Sequence, residues 1–379
     1  MKVRAVLASM SLLAASALAA CAPPSDDNGS GGGDDNGSGS AADAASATSA
    51  EDLGGLDALI EAAQEEGELN VIALPPDWAN YGEIISTFEE KYDITVNSAQ
   101  PDAASQDEIN AANQLKGTDR APDVFDLGQA VALANIPMYA PYKVETWDDI
   151  PDEFKAEDGA WVNDYGGFMS IGYDSSKVPD VTEVEDLLGP DFKGKVALNG
   201  DPTQAGAAFN GVVMASVANG GSVEDIEPGV QFFSDLKEAG NFLPVDPTPA
   251  TIESGQTPVV IDWDYLNAAQ AEKIDTWEVV VPANAPIAGY YFQAINADAP
   301  HPAAARLWQE FLYSDEGQNL WLKGGARPVR AEAMADAGTI DEELYSALPE
   351  VEGDPIVVTN EQTEAMASYL ADNWAKAIG

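Results

Sequence analysis

Apolar and polar positions along this chain fall into short blocks whose spacing predicts alternating strands and helices. Leu69 to Leu74 (LNVIAL) is an apolar run between polar flanks, as in a buried strand, and Pro75-Pro76 punctuate its end. From Asn80 onward, Ile84, Ile85, Phe88 and Tyr92 share one helical face. Ile94 to Val96 predicts a second strand, Ile109, Ala112 and Leu115 a second helical stripe, and Val124 to Leu127 (VFDL) a third strand. Such alternation predicts an α/β fold with a mostly parallel sheet covered by helices. The pattern resumes after a Gly/Tyr-rich stretch with Val196 to Leu198 as strand, Gln204 to Val217 and Gly229 to Glu238 as helices, and Val259 to Ile261 as strand. A second α/β lobe is therefore expected. Leu307, Trp308, Phe311 and Leu312 predict an amphipathic helix after His301-Pro302, and a last helix runs from near Gln362 to Ala377. Two aromatic, extended runs with glycines alongside, Gly167 to Asp174 (GFMSIGYD) and Gly289 to Asn296 (GYYFQAIN), read as crossings between lobes.

The N-terminus has a different character. Lys2 and Arg4 precede an apolar run from Val6 to Ala20 that is short and Ala/Ser-rich, which predicts a removable signal peptide over residues 1–20. Leu18, Ala19 and Ala20 stand before Cys21, the single cysteine in the chain, and this order resembles a bacterial lipobox. The resemblance implies that Cys21 is lipidated and anchors the protein to the outer face of the cell membrane; an ordinary free cysteine is the plainer alternative. With Cys21 so used, no intramolecular disulfide is available. Residues 21–50 are Ser, Gly, Asp, Asn and Ala almost throughout, so they read as a tether whose reach is about 30 Å.

Composition narrows the function classes. The chain has 379 residues, 45% of them hydrophobic, enough for roughly two domains beyond the leader and tether. Lys plus Arg number 17 against 65 Asp plus Glu, and a formal net charge of -48 repels phosphate backbones, so nucleic acid is not an expected partner. The acidity is equally compatible with a well-solvated exported surface. His301 is the sole histidine and sits before Pro302 at a helix start, which reads as structural and leaves triad and His-rich metal chemistry without support.

The order strand-loop-helix, then SIGYD before a new α/β unit, then VVIDWDY and AGYYFQAIN, resembles extracellular solute-binding proteins of ABC importers from Leu69 to about Arg330. The branch with polyamine, ferric-iron, thiamine and phosphonate binders is the most similar. The resemblance implies a two-lobed, type II periplasmic-binding-protein-like fold, with lobe 1 over 51–170 and 294–379, lobe 2 over 171–293, and the ligand in the cleft between them. It implies a monomeric receptor rather than an enzyme, with no cofactor, that hands a small solute to a membrane permease.

Ligands in α/β sheets sit beyond the carboxyl ends of strands, which singles out five places. Asp77, Trp78 and Tyr81 lie in PPDWANY after the first strand, where Asn80 could instead cap the helix; Asp126 opens DLGQ after the third. Thr203 and Gln204 lie in GDPTQAG, whose backbone N–H groups open a helix and suit a carbonyl or an anion, or serve only as a helix start. Trp263 and Asp264 belong to DWDY, where strand alternation sends Trp263 to one face and both carboxylates to the other. In polyamine-binding relatives a Trp at the position of Trp263 stacks along the ligand, and the returning strand supplies an aromatic residue and an aspartate. Here those two positions are Tyr291 and Gln293, so the acid must come from Asp77 or Asp264 if the solute bears an amine. Tyr290-Tyr291 also resembles the tyrosine pair of ferric-iron binders, although adjacent strand residues face oppositely. An amine-bearing, polyamine-like solute is the leading expectation. Iron, thiamine or a phosphonate or oxoanion are alternatives within the class, and a carboxylate-dependent exported hydrolase is the alternative outside it.

Overall fold

A computed structural model describes residues 41–348 and 351–379, so the leader and Cys21 lie outside the described residues. The first elements are α1 (Ala41–Ser46), α2 (Leu56–Glu66), β1 (Glu68–Ile72), α3 (Tyr81–Tyr92), β2 (Thr95–Ala99), α4 (Ser105–Leu115), β3 (Val124–Leu127), α5 (Gln129–Ala134) and β4 (Tyr139–Ala140). A long strand, β5 (Val162–Asp174), leads to β6 (Val196–Leu198), α6 (Gly206–Ala218), α7 (Glu227–Ala239), α8 (Pro249–Glu253), β7 (Val259–Trp263), α9 (Asp264–Ala271) and β8 (Trp277–Val280). The second long strand, β9 (Ile287–Asn296), precedes α10 (Pro302–Leu312), α11 (Asp315–Lys323), β10 (Arg327–Pro328), α12 (Ala331–Ala337), α13 (Glu342–Ala347), β11 (Ile356–Val357) and α14 (Asn360–Ile378).

The strands are mixed in direction rather than mostly parallel. β1 with β2, β6 with β7 and β11 with β9 are parallel, but β5 and β9 run antiparallel to each other and to most strands they meet. The reason is the double role of these two strands. The first half of β5 pairs with β9, in register Gly166↔Tyr290 and Gly167↔Gly289, while its second half pairs with β7 from Met169↔Trp263 to Tyr173↔Val259. β9 likewise joins β5 at its start and β3 at its end, where Asp126 faces Gln293. The two aromatic runs thus join the α/β groups, β5 by pairing with β9 and β7, and β9 by pairing with β5 and β3. Their glycines are needed where they cross, since a Cβ on Gly166 would run into the Gly289 carbonyl oxygen and one on Gly289 would stand 2.8 Å from Cη2 of Trp263.

Helix α6 is buried on every face and fills the centre of the group built on β6 and β7, as its uniformly apolar sequence requires. The other group is cored by Phe88, Trp308 and Phe311, with ring centroids of Phe88 and Trp308 5.0 Å apart. Helix α14 packs against both α5 and α7, closing the chain across the two groups, with Trp374 edge-on to Phe233 at 5.4 Å.

One boundary differs from the sequence reading. Residues 41–50, expected in the tether, are folded: Ala44, Ala47 and Ala50 are buried, and the Arg306 guanidinium of α10 donates to the carbonyls of Ala45 and Ala47. Small, helix-favouring alanines can approach α10 closely, which a composition argument reads only as lack of bulk. His301 is structural as expected, its Nδ1 lying 2.9 Å from Asp123 Oδ2.

Candidate functional site

The loops that follow β1, β2, β3, β6 and β7 converge on a cleft of about 560 Å³. One wall carries Asp77 and Trp78, then Asp102, Asp107 and Glu108 around the start of α4, then Asp126 in β3. The opposite wall carries Asn199 and Asp201 after β6, Gln204 at the approach to α6, Asp246 before α8, Asp262 of β7, and Asn267 and Gln270 of α9. Tyr291 of β9 closes the floor. At this rim Ala73 adopts a positive φ of 58°. The walls touch at two points, where the Gln106 N–H donates to the Gln204 carbonyl at 3.3 Å and where Gly128 meets Gly206. A Cβ on Gly128 would stand 2.6 Å from the Gly206 Cα, so only glycine permits that approach.

The cleft is acidic. Eight carboxyl side chains line it (Asp77, Asp102, Asp107, Glu108, Asp126, Asp201, Asp246 and Asp262), and no Lys, Arg or His is among its described lining residues. Asp126 is 7% exposed; its Oδ2 accepts from the hydroxyls of Tyr81 at 2.8 Å and Tyr165 at 3.0 Å, while Oδ1 has no partner among the described residues. Burial pushes its pKa up to about 7, against the two phenol hydrogen bonds that lower it. Glu108 is 1% exposed; one of its oxygens accepts from the Asp126 N–H at 3.0 Å and the other has no partner among the described residues. Burial first, and the Asp126 charge second, hold the Glu108 carboxyl well above the ordinary range. Across the cleft, burial likewise raises Asp262 to about 7 although Asn199 Nδ2 donates to it at 2.8 Å.

Of the residues singled out in the sequence, Asp77, Trp78, Asp126, Gln204 and Tyr291 line the cleft together. Thr203 is exposed beside it, its hydroxyl donating to Asp201 Oδ1 at 2.7 Å. Tyr81, Trp263 and Gln293 stand behind the lining. Gln293 Nε2 donates to the Tyr81 hydroxyl at 3.0 Å, which donates to Asp126, and Trp263 Nε1 donates to the Tyr291 hydroxyl at 3.3 Å. Asp264 points away from this cleft: it pairs with Arg327 Nη1 at 2.7 Å and accepts the Phe168 N–H at 2.9 Å. Strand geometry ends at Trp263, so Asp264 begins α9 and Asp262 is the carboxylate that faces the cleft. Asp262 and Glu108 are among the lining residues the sequence reading passed over, with Asp102, Asp107, Asp246 and Asn199. The signal for Glu108 was a charge one turn before Ala112, on the apolar stripe of α4. The aromatic lining is braced from behind: Trp78 Nε1 donates to the Tyr165 hydroxyl at 2.8 Å, and the Tyr165 ring stacks on Tyr291 with centroids 5.3 Å apart.

The arrangement of two α/β groups joined through their longest strands has counterparts among solved structures. The chain is similar to the periplasmic binding protein P5PA at 19% identity, with a TM-score of 0.65 and coverage of 83% of this chain and all of that one. It is similar to AfuA from Actinobacillus pleuropneumoniae at 18% identity and TM-score 0.63, covering 83% and 99%. A putative spermidine/putrescine ABC transporter from Listeria monocytogenes follows at 15% identity and TM-score 0.62, covering 82% and 98%. These likenesses identify the fold as that of type II periplasmic binding proteins. No curated protein sequence matches the chain. The family described as bacterial extracellular solute-binding protein matches residues 128–347, more than half of the chain. On that match, the chain belongs to the bacterial extracellular solute-binding proteins, which are the transport receptors of ABC importers and not enzymes.

Proposed function

We propose that this receptor captures a cationic, amine-bearing solute of the polyamine type and delivers it to its permease from a lipid anchor at Cys21. The observation that carries the reading is the eight-carboxyl lining without a basic side chain. An anion would meet carboxyl groups on every side and no cation to pair with, whereas an ammonium group gains charge-assisted hydrogen bonds and, against Trp78 and Tyr291, cation–π attraction of about 0.5–2 kcal/mol. That lining argues against a phosphonate or oxoanion. Among the neighbours of similar fold, one is named for spermidine and putrescine, one holds iron and one fructose 6-phosphate, so the fold alone does not choose. Asp77, Trp78, Asp126 and Tyr291 would touch the solute. Residues 51–170 with 294–379 would close on 171–293 about β5 and β9, because contacts to both walls favour the closed arrangement.

Thermal unfolding of the full chain with putrescine, spermidine, thiamine, ferric citrate, fructose 6-phosphate, amino-phosphonates, sugars and oxoanions tests this. A ligand at 100 times its dissociation constant adds about 2.7 kcal/mol to native stability, a clear upward shift in midpoint. The expected result is a saturable shift with an amine, weakened roughly 2- to 30-fold in affinity by Trp78→Ala. A shift only with phosphate esters or oxoanions would overturn it. For the anchor, Cys21→Ser is expected to move the protein from the membrane to the soluble fraction of fractionated cells; unchanged membrane association would refute lipidation there.

A further inference from the structure

The acids of the cleft floor are arranged as a stack rather than a spread. Glu108 of α4 hydrogen-bonds the backbone of Asp126 in β3, and behind them Asp164 of β5 is fully buried. Each of the two cleft-lining members keeps one oxygen without a partner among the described residues, although both are more than nine-tenths buried. The groups that face Asp126 are the hydroxyl of Tyr81 from α3, the hydroxyl of Tyr165 and the carboxyl of Asp164 from β5, Glu108 from α4, Tyr265 from α9, Tyr291 and Gln293 from β9, and Tyr313 after α10, while Asp107 of α4 and Tyr139 of β4 act on Glu108. None of them is a cation. Two neighbouring carboxylates with unsatisfied oxygens in a buried, cation-free setting cannot both stay ionised without a positive partner. A proton or an ammonium group can each supply what is missing, and the two compete for the same oxygens.

We propose that Glu108 and Asp126 form an exchange seat in which a bound ammonium group of the solute displaces a proton to solvent, so that capture is tight at neutral to alkaline pH and loosens in acid. This rests on the cationic reading of the solute. Burial raises Asp126 to about 7 and Glu108 and Asp164 well above the usual range, which holds a proton in the empty seat on the acid side of neutrality. Primary amines keep their own proton well above that pH, so the proton released must come from the protein. Asp164 does not line the cleft and acts as a positioning residue, closing the stack from below.

Calorimetric titration of the full chain with spermidine and with putrescine, in two buffers of different ionisation enthalpy, reads the exchange directly. At about pH 6 the apparent heat is expected to change with the buffer in proportion to about one proton released, and affinity to fall roughly tenfold per pH unit below the seat's titration point. At a pH well above that titration point the buffer dependence should fade. Asp126→Asn should lose most of the pH slope; where that variant binds too weakly to read, Glu108→Gln, which keeps Asp126, should show a diminished slope. Buffer-independent heats with pH-independent affinity in the wild type would overturn the exchange and leave the cationic reading standing. An unchanged slope in both variants would also overturn it, by placing the proton elsewhere. Absence of binding by either amine at either pH would remove both readings.

Discussion

At the residue scale the cleft shows what burial does to an acid. Asp262 is an ordinary aspartate in sequence, yet in the fold it is 6% exposed and its pKa is pushed up to about 7 by loss of hydration. The sign of the stability effect follows from that direction. The unfolded chain gives up this proton near the ordinary aspartate value and the native state holds it to about 7, so the native state binds more protons in between. Stability is therefore fullest on the acid side and declines as pH rises through that window, by about 1.4 kcal/mol per pH unit for one such group. Asp126 adds a decline in the same window. Asp262→Asn is expected to flatten the profile of denaturation midpoint against pH between about 4 and 7; a profile as steep as wild type would show that the slope arises elsewhere. A bound cation reverses the sense of the effect, since it favours the ionised carboxylates.

At the scale of elements, two features make the site: short strands that end at the cleft, and loops whose contacts set how far the walls approach. The Gly128–Gly206 contact is the tightest of these. Gly128 has φ of -63°, so alanine there is free of backbone strain and its only effect is the added methyl. Gly128→Ala is expected to hold the walls apart, weakening amine binding about tenfold while changing unfolding stability by no more than the ~1–3 kcal/mol of an overpacked contact. Calorimetry and small-angle scattering with and without spermidine check it; undiminished affinity would show that wall contact is unnecessary for binding. The same scale explains the brace behind the aromatic lining. Tyr165 on β5 and Tyr291 on β9 stack because the two strands are paired, so Trp78 meets a surface whose position the sheet sets.

At the scale of the whole molecule, a net charge of -48 and a cleft lined by eight carboxyls produce a field that draws cations in and focuses them between low-dielectric walls. The association rate of an amine should therefore fall steeply as ionic strength rises from about 0.02 to 0.5 M, because the Debye length contracts from about 20 Å to about 4 Å. Stopped-flow tryptophan fluorescence follows this directly, with Trp78 on the cleft wall as the reporter. An association rate independent of salt would mean that the acidity serves solubility alone, which was the plainer reading of composition.

Much of the architecture was legible in the chain. Periodicity located the first strands and helices, the two crossing strands and the closing helix, because burial on one face leaves an apolar repeat that needs no knowledge of partners. The order of these segments pointed to the solute-binding family that the match over residues 128–347 bears out. Cleft positions after or at the carboxyl end of strands, such as Asp77 and Trp78 after β1 and Asp126 near the end of β3, were legible for the same reason: the carboxyl ends of strands open on the cleft. Tertiary structure alone decided the rest. Strand direction depended on β5 pairing with β9 at one end and with β7 at the other, and on β9 pairing in turn with β3, and pairing is a long-range choice that local pattern does not encode. The folding of residues 41–50 onto α10 depended on a partner more than 250 residues away. Which carboxylate of DWDY faces the cleft depended on where β7 gives way to α9, and the charge state of Glu108, Asp126 and Asp262 on neighbours brought together from different elements. A sequence carries propensity and spacing; the field at an atom comes from everything that packs around it.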